Sequence, residues 1–186
     1  MNIGFAMCGS FCTFSQVFPV MEALAKEYTV IPIFSPAAYT IDSRFGTAEA
    51  HIQRATQICG RAPLHTIAQV EPIGPKQLLD ALVIAPCTGN TLAKLAHSIA
   101  DTAVTMAAKS HLRNGRPILV AVSTNDALAG AGENIGKLLS RKHYYFVPFG
   151  QDDAVSKPTS MVADFQKIPE ALKLALAGKQ IQPVLL

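Results

Sequence analysis

The chain has 186 residues, 49% apolar and 16% charged, with a net charge of +3. This is the composition of one well-cored globular domain, 1–186, able to bury roughly 70% of the surface its unfolded form exposes. The weak charge, the lack of a Lys/Arg run and the absence of Trp exclude a nucleic-acid platform, and no run of about 18 apolar residues is available to span a membrane.

Asn2–Met7 reads as a first strand; with no basic residues ahead of it, no signal peptide is expected. Cys8-Gly9-Ser10 is a turn. Phe14, Val17, Phe18, Met21, Leu24 and Ala25 then follow helical spacing, with a late start or a kink expected at Pro19. Ser10-Phe11-Cys12 after Gly9 breaks the GxGxxG pattern, so nicotinamide binding in its standard mode is not expected. Thr29–Phe34 is a second strand, whose Pro32 fits an edge position. Ser35 leaves its end, and a polar loop, Thr40–Gly46, carries Asp42, Ser43 and Arg44. Thr47 can cap a helix to about Ile58, with Ala48, Ile52, Ala55 and Cys59 inward and Gly60 as the stop. Pro63, Pro72 and Pro75 break the next stretch. Leu64–Ile67 can form a short third strand, and Val70–Pro75 is a shaped loop, either a connector or a cover for a site.

Leu82–Ala85 is a fourth strand, ended by Pro86. The polar corner Cys87-Thr88-Gly89-Asn90 leads into a helix from Thr91, with Leu92, Leu95, Ala96 and Ile99 inward. N–H groups at a helix start lack intrahelical partners, so the corner is either an ordinary capped joint or a site for an electron-rich ligand group. A second helix, Ala103–Arg113, stops at Asn114-Gly115. Ile118–Val122 is a wholly apolar and therefore central fifth strand, followed by Ser123-Thr124-Asn125-Asp126. A helix near Glu133–Ser140 and a sixth strand, Tyr144–Val147, come next. Pro148–Pro158 is a polar excursion with Gln151, Asp152, Asp153 and Lys157; a last helix, Ser160–Ala177, contains Pro169. The PVLL tail packs on the domain or on a neighbouring protomer.

This alternation predicts an α/β, three-layer, Rossmann-like parallel six-stranded sheet with helices on both faces. Right-handed crossovers place all strand C-termini on one rim. Four small polar corners then meet there: Gly9-Ser10, Ser35, Thr88-Gly89-Asn90 and Ser123-Thr124-Asn125. None carries a cation, so a phosphate at the rim is held by neutral donors and helix starts. The four cysteines, Cys8, Cys12, Cys59 and Cys87, lack zinc-ligand spacing; they read as reduced, small core residues of a cytoplasmic protein, with no metal site.

Gly9-Ser10 after the first strand, Pro86-x-Thr88-x-Asn90 followed by Leu92-Ala93-Lys94, and Ser123-Thr124-Asn125 resemble the homo-oligomeric flavin-containing cysteine decarboxylase superfamily. Three longer segments, IAPCTGNTLAKLA, DTAVTMAAKSHLRNGRPILVAVSTNDALAG and HYYFVPFGQDD, are similar to one branch of it: the flavoprotein subunits of dipicolinate synthases from spore-forming bacteria. The similarity covers nearly the whole chain. It implies strand order 3-2-1-4-5-6 and FMN on the rim. Gly9, Ser10 and Phe11 would approach the flavin phosphate and ribityl chain, and Ser35 the phosphate. Thr88, Gly89 and Asn90 would line one side of the flavin; Ser123, Thr124 and Asn125 would close the other. The resemblance also implies a homo-oligomer, trimer or dodecamer, with flavin at the contact between protomers.

The implied reaction is oxidation of dihydrodipicolinate, or its hydrated precursor, to dipicolinate in the sporulating mother cell. A separate, dehydrogenase-like dipicolinate synthase subunit would be the partner. Arg44 is the first candidate for a substrate carboxylate, with Lys76 and Lys157 behind it. One departure matters. The superfamily's decarboxylases carry a catalytic His shortly before the fourth strand, whereas this chain has Glu71-Pro72-Ile73. Its histidines, His51, His65, His97, His111 and His143, read as surface or helix-end residues. The alternatives are another flavin-dependent, decarboxylase-like enzyme and a non-catalytic flavin-binding scaffold. No residue stands out for proton transfer.

Overall fold

The most apolar runs of the sequence form the centre of the sheet. In the computed structural model, which describes all 186 residues, β3 (Ala81–Cys87) is buried at every position and β4 (Ile118–Thr124) at all but its last. Outside them lie β1 (Asn2–Met7), β2 (Thr29–Phe34) and β5 (Tyr144–Phe146), giving a parallel order β2-β1-β3-β4-β5. Strands buried on both faces need such continuous apolar runs. Helices α1 (Phe14–Ala25) and α6 (Ala103–Leu112) both touch β3. With α1 lie α3 (Ala48–Cys59) and α8 (Ile168–Leu176). With α6 lie α4 (Ile67–Val70) and α5 (Gly89–Ala96), and α7 (Gly132–Leu139) packs on α5. A short α2 (Pro36–Thr40) follows β2. The class is the three-layer α/β arrangement expected.

Two details of the sheet differ. The expected third strand is a single parallel bridge, Leu64 to Ile33 on β2. Pro63 precedes it, and Thr66 opens α4 with a capping box two residues later, which leaves no length for a strand. The bridge still occupies third place in the order 3-2-1-4-5-6. The sheet also gains an antiparallel hairpin, β6 (Phe149–Gln151) and β7 (Met161–Ala163), attached where Ser123 and Thr124 pair with Val162 and Met161. It is therefore seven-stranded and mixed. The hairpin takes the first residues assigned to the last helix. Pro169 sits in the first turn of α8, where its missing N–H costs nothing.

The other prolines follow the same logic. Helix α1 neither starts late nor waits for Pro19. It begins at Phe14, and the carbonyl that Pro19 leaves free belongs to solvent-exposed Ser15. The Pro32 carbonyl accepts from Leu64 N–H at 2.9 Å, so the missing Pro32 N–H faces the thin outer edge of β2. Pro86 does not end its strand. β3 runs through it with a register shift between Ile84 and Cys87, and the Pro86 carbonyl accepts from Cys8 N–H at 3.2 Å.

Val70–Pro75 is a connector. The turn Glu71–Ile73 packs on α6, Asn114 Nδ2 donates to the Gly74 carbonyl at 3.1 Å, and the segment precedes β3, at the opposite end from the rim. Ile99 is 47% exposed rather than inward, because it lies beyond the end of α5. His51, in the first turn of α3, and His111, in the last turn of α6, are helix-end residues but buried ones, not surface. The C-terminal tail packs on its own chain: Leu186 N–H donates to the Phe149 carbonyl at 3.1 Å.

Candidate functional site

Strand order β1-β3-β4 puts three of the four corners side by side. Ser10 Oγ, after β1, meets Ser123 Oγ, near the end of β4, at 2.8 Å, so the two corners close over the end of β3. Below them the Thr88 hydroxyl donates to Thr91 Oγ1 at 3.2 Å, and Thr91 donates to Cys8 Sγ at 3.3 Å. This chain ties the start of α5 to the end of β1. The Thr124 hydroxyl donates to Asp126 Oδ1 at 2.5 Å. Gly89 is pressed against that pair: a Cβ there would lie 2.8 Å from both oxygens.

The two helix starts that line the cleft have no side-chain cap, as is also true of α7 and α8, whereas four other α-helices are capped. Ser35, Thr47, Thr66 and Thr102 each cap a helix by accepting a first-turn backbone N–H. At α5 the N-cap Thr88 makes no such bond, and neither does Ser10 at the 3₁₀ turn Phe11–Thr13 that leads into α1. Backbone donors at these two starts are left without side-chain partners, and the positive end of the helix dipole lies behind those at α5. The corner at Thr88 is thus not an ordinary side-chain-capped joint.

The polar excursion supplies a further wall. Thr159 Oγ1 donates to the Asn125 carbonyl at 2.7 Å, and Leu128 N–H donates to the Thr159 carbonyl at 3.0 Å, fastening the hairpin to the β4 corner. Lys157 Nζ pairs with Asp152 Oδ2 at 3.1 Å. The Asp152 carboxyl is held below its ordinary pKa by the Ser160 hydroxyl and by Lys157, and Asp152 in turn raises the Lys157 ammonium. The resulting cleft has a volume of about 910 Å³, and Lys157 is the one cation among its lining residues. Cys12 lines it too. Cys8 and Cys87 lie beneath; burial pushes the Cys8 thiol to about 11 and Cys87 well above its ordinary value, so both stay protonated.

Gly9, Ser10, Phe11, Thr88, Gly89, Asn90, Ser123, Thr124 and Asn125 all line this one cleft. Ser35 does not. It is buried, and its hydroxyl caps α2 by accepting from Ala38 N–H at 3.2 Å. Arg44 is exposed outside the lining, its guanidinium 4.8 Å from the centroid of the Phe45 ring, which does line the cleft. Lys76 lies near the opposite end of the sheet. Thr13, Gln16, Phe45, Ser160 and Val162 also line the cleft, and sequence reasoning does not single them out. Thr13 and Gln16 follow the first corner at a spacing of three along a 3₁₀ turn and the start of α1, which was the available signal. Val162 and Ser160 reach the cleft only through the unforeseen hairpin. No three His, Cys, Asp or Glu side chains are grouped to hold a metal ion, and no helix is long and apolar enough to cross a membrane.

A family model described as "Flavoprotein" matches residues 1–161. The chain is 42% identical over 185 residues to the B-type subunit of dipicolinate synthase from Bacillus subtilis, covering 99% of this chain and 92% of that protein. A crystal structure of the B-type dipicolinate synthase subunit from Bacillus halodurans superposes with a TM-score of 0.91 at 43% identity, covering 100% of this chain and 95% of that one. Burkholderia xenovorans DmrB, solved in complex with FMN, superposes with a TM-score of 0.68 at 20% identity over 95% of each chain, a likeness of fold alone.

Proposed function

Because the chain belongs to the flavoprotein family, we propose that it is the flavin-binding subunit of a dipicolinate synthase, holding FMN in the rim cleft. The observation that carries this reading is the convergence of small polar corners and two uncapped helix starts on one cleft of about 910 Å³. Neutral donors and helix starts suit a phosphate. The volume lies within the range of about 300–1,000 Å³ usual for small-ligand sites.

Bound FMN supplies the electron acceptor for aromatisation of a dihydropyridine dicarboxylate. The protein's part is to bind and orient. Ser10, Thr88, Asn90 and Ser123 present hydroxyl and amide groups to the flavin. Lys157, on the hairpin wall, replaces Arg44 as first candidate for a substrate carboxylate, because it alone brings positive charge into the cleft. Arg44 stands next to it in rank, beside Phe45. The lettered names of the relatives support a second synthase subunit as partner; that this partner is dehydrogenase-like and that the setting is a sporulating mother cell belong to the proposal. A trimeric or dodecameric homo-oligomer is part of the same proposal.

Anaerobic mixing of the FMN-loaded protein with dihydrodipicolinate tests the reading, with bleaching of the flavin absorbance as the expected result. A colourless protein that takes up no FMN would instead be a scaffold. Full turnover by the dehydrogenase-like partner on its own would remove any catalytic role. A decarboxylase-like reaction has less support, since Glu71-Pro72-Ile73 offers no His and packs on α6.

A further inference from the structure

A second hollow, of about 420 Å³, opens between the end of α5, the end of α6 and the first residue of β5. It shares no lining residue with the rim cleft and lies toward the opposite end of β5. Leu95, Ile99 and Leu112 give it an apolar surface, and Ile99 is 47% exposed there. Three cations surround that surface: Lys109, Arg113 and Arg141. None of them takes part in any of the five ion pairs of the molecule.

Helix termini explain where each cation sits, but not why they converge uncompensated. Arg141 donates to the carbonyls of Leu95 and Ala96 at 3.0 and 2.6 Å, closing the end of α5. Lys109 and Arg113 stand one turn apart at the end of α6. All three residues still line one apolar hollow with no carboxylate among its lining residues, and the Lys109 and Arg113 side chains have no ion-pair partner. Tyr144 adds a second observation. It is 8% exposed and lines the hollow, and its hydroxyl makes no hydrogen bond within the protein, so that hydroxyl is free to bond a group bound there.

We propose that this hollow is a binding site for a small aromatic carboxylate, with the ring on Leu95, Ile99 and Leu112 and the carboxylate between Arg113, Lys109 and the Tyr144 hydroxyl. Guanidinium and phenol are both suited to carboxylate oxygens. A concave space of this size fits a small molecule better than a peptide strand, which needs an open edge or an elongated groove.

Calorimetric titration of the full chain with 2-naphthoate tests the site. One site per chain is expected, with binding by the uncharged 2-naphthamide at least about ten-fold weaker. The double variant Lys109→Gln/Arg113→Gln changes two exposed side chains and is expected to weaken 2-naphthoate by about ten-fold or more; Tyr144→Phe costs about three-fold. A Thr88→Val/Asn90→Leu variant of the rim leaves the affinity unchanged. The proposal is overturned if the double variant binds 2-naphthoate as the parent does, or if the rim variant loses it. It is also overturned if neither protein binds at about 5 mM, or if a Glu-rich peptide binds this face and 2-naphthoate does not.

Discussion

Gly89 shows how one residue type can be demanded by its surroundings rather than by its own backbone. Its φ is not in the left-handed region, so conformational freedom is not the reason for it. Space is: the Thr124–Asp126 hydrogen bond closes the place where a Cβ would sit. Gly89→Ala must open that bond and push a methyl group toward the cleft. Fluorescence titration with FMN should show binding at least about ten-fold weaker, near 1.4 kcal/mol, in a protein that still folds. Unchanged affinity would mean that flavin does not approach this corner. His111 makes a different demand. It is fully buried; its Nε2–H donates to the Pro117 carbonyl at 3.1 Å, and Nδ1 has no partner. Burial depresses its pKa from 6.5 to about 4, only partly opposed by that carbonyl. Between these values the unfolded chain binds the proton and the folded one does not, so stability is full above about pH 6.5 and falls as the pH drops toward 4. Urea titrations from pH 7 to pH 4 should register a loss of about 3 kcal/mol from this group. His111→Gln should flatten the slope without abolishing it, because burial also lowers His51.

At the scale of elements, the end of α5 is held by backbone geometry. Ser98 N–H donates to the Leu95 carbonyl at 3.2 Å and Ile99 N–H to the Lys94 carbonyl at 2.8 Å, the two bonds of a Schellman ending. That ending needs a left-handed residue, and Ser98 supplies it at φ 59°. A serine bears a steric cost there that glycine does not. Ser98→Gly should stabilise the protein by about 1 kcal/mol and raise Tm by about 2–4 °C in a thermal scan. A lower Tm would show that the serine hydroxyl compensates the strain. The same turn explains why helical periodicity misassigned Ile99. The period continues past the true end of α5, but the reversed backbone carries Ile99 out of the core.

Across the whole molecule, what was legible in the sequence was what local pattern encodes. Buried parallel strands are unbroken apolar runs, and the small polar corners that end them mark a common rim once crossover handedness is applied. Ser35 caps α2 outside the cleft lining, and a serine after a strand reads the same whether it faces a ligand or caps the next helix. The hairpin was illegible for a deeper reason. Met161-Val162-Ala163 suits a strand or a helix, and only pairing with Ser123 and Thr124, nearly forty positions earlier, decides the outcome. That distant pairing brings Lys157 to the rim, 33 residues beyond Thr124 in sequence. Its ammonium is exposed and its partner Asp152 is local, so removing it should leave the fold intact. If Lys157 holds a substrate carboxylate, Lys157→Met should raise KM for the dicarboxylate about ten-fold while FMN affinity stays at the parent value. If the loss appears in FMN affinity instead, Lys157 serves the flavin phosphate, and the neutral-donor reading of the corners is incomplete. The split between the two titrations separates these roles because the cleft has no second cation to substitute for Lys157.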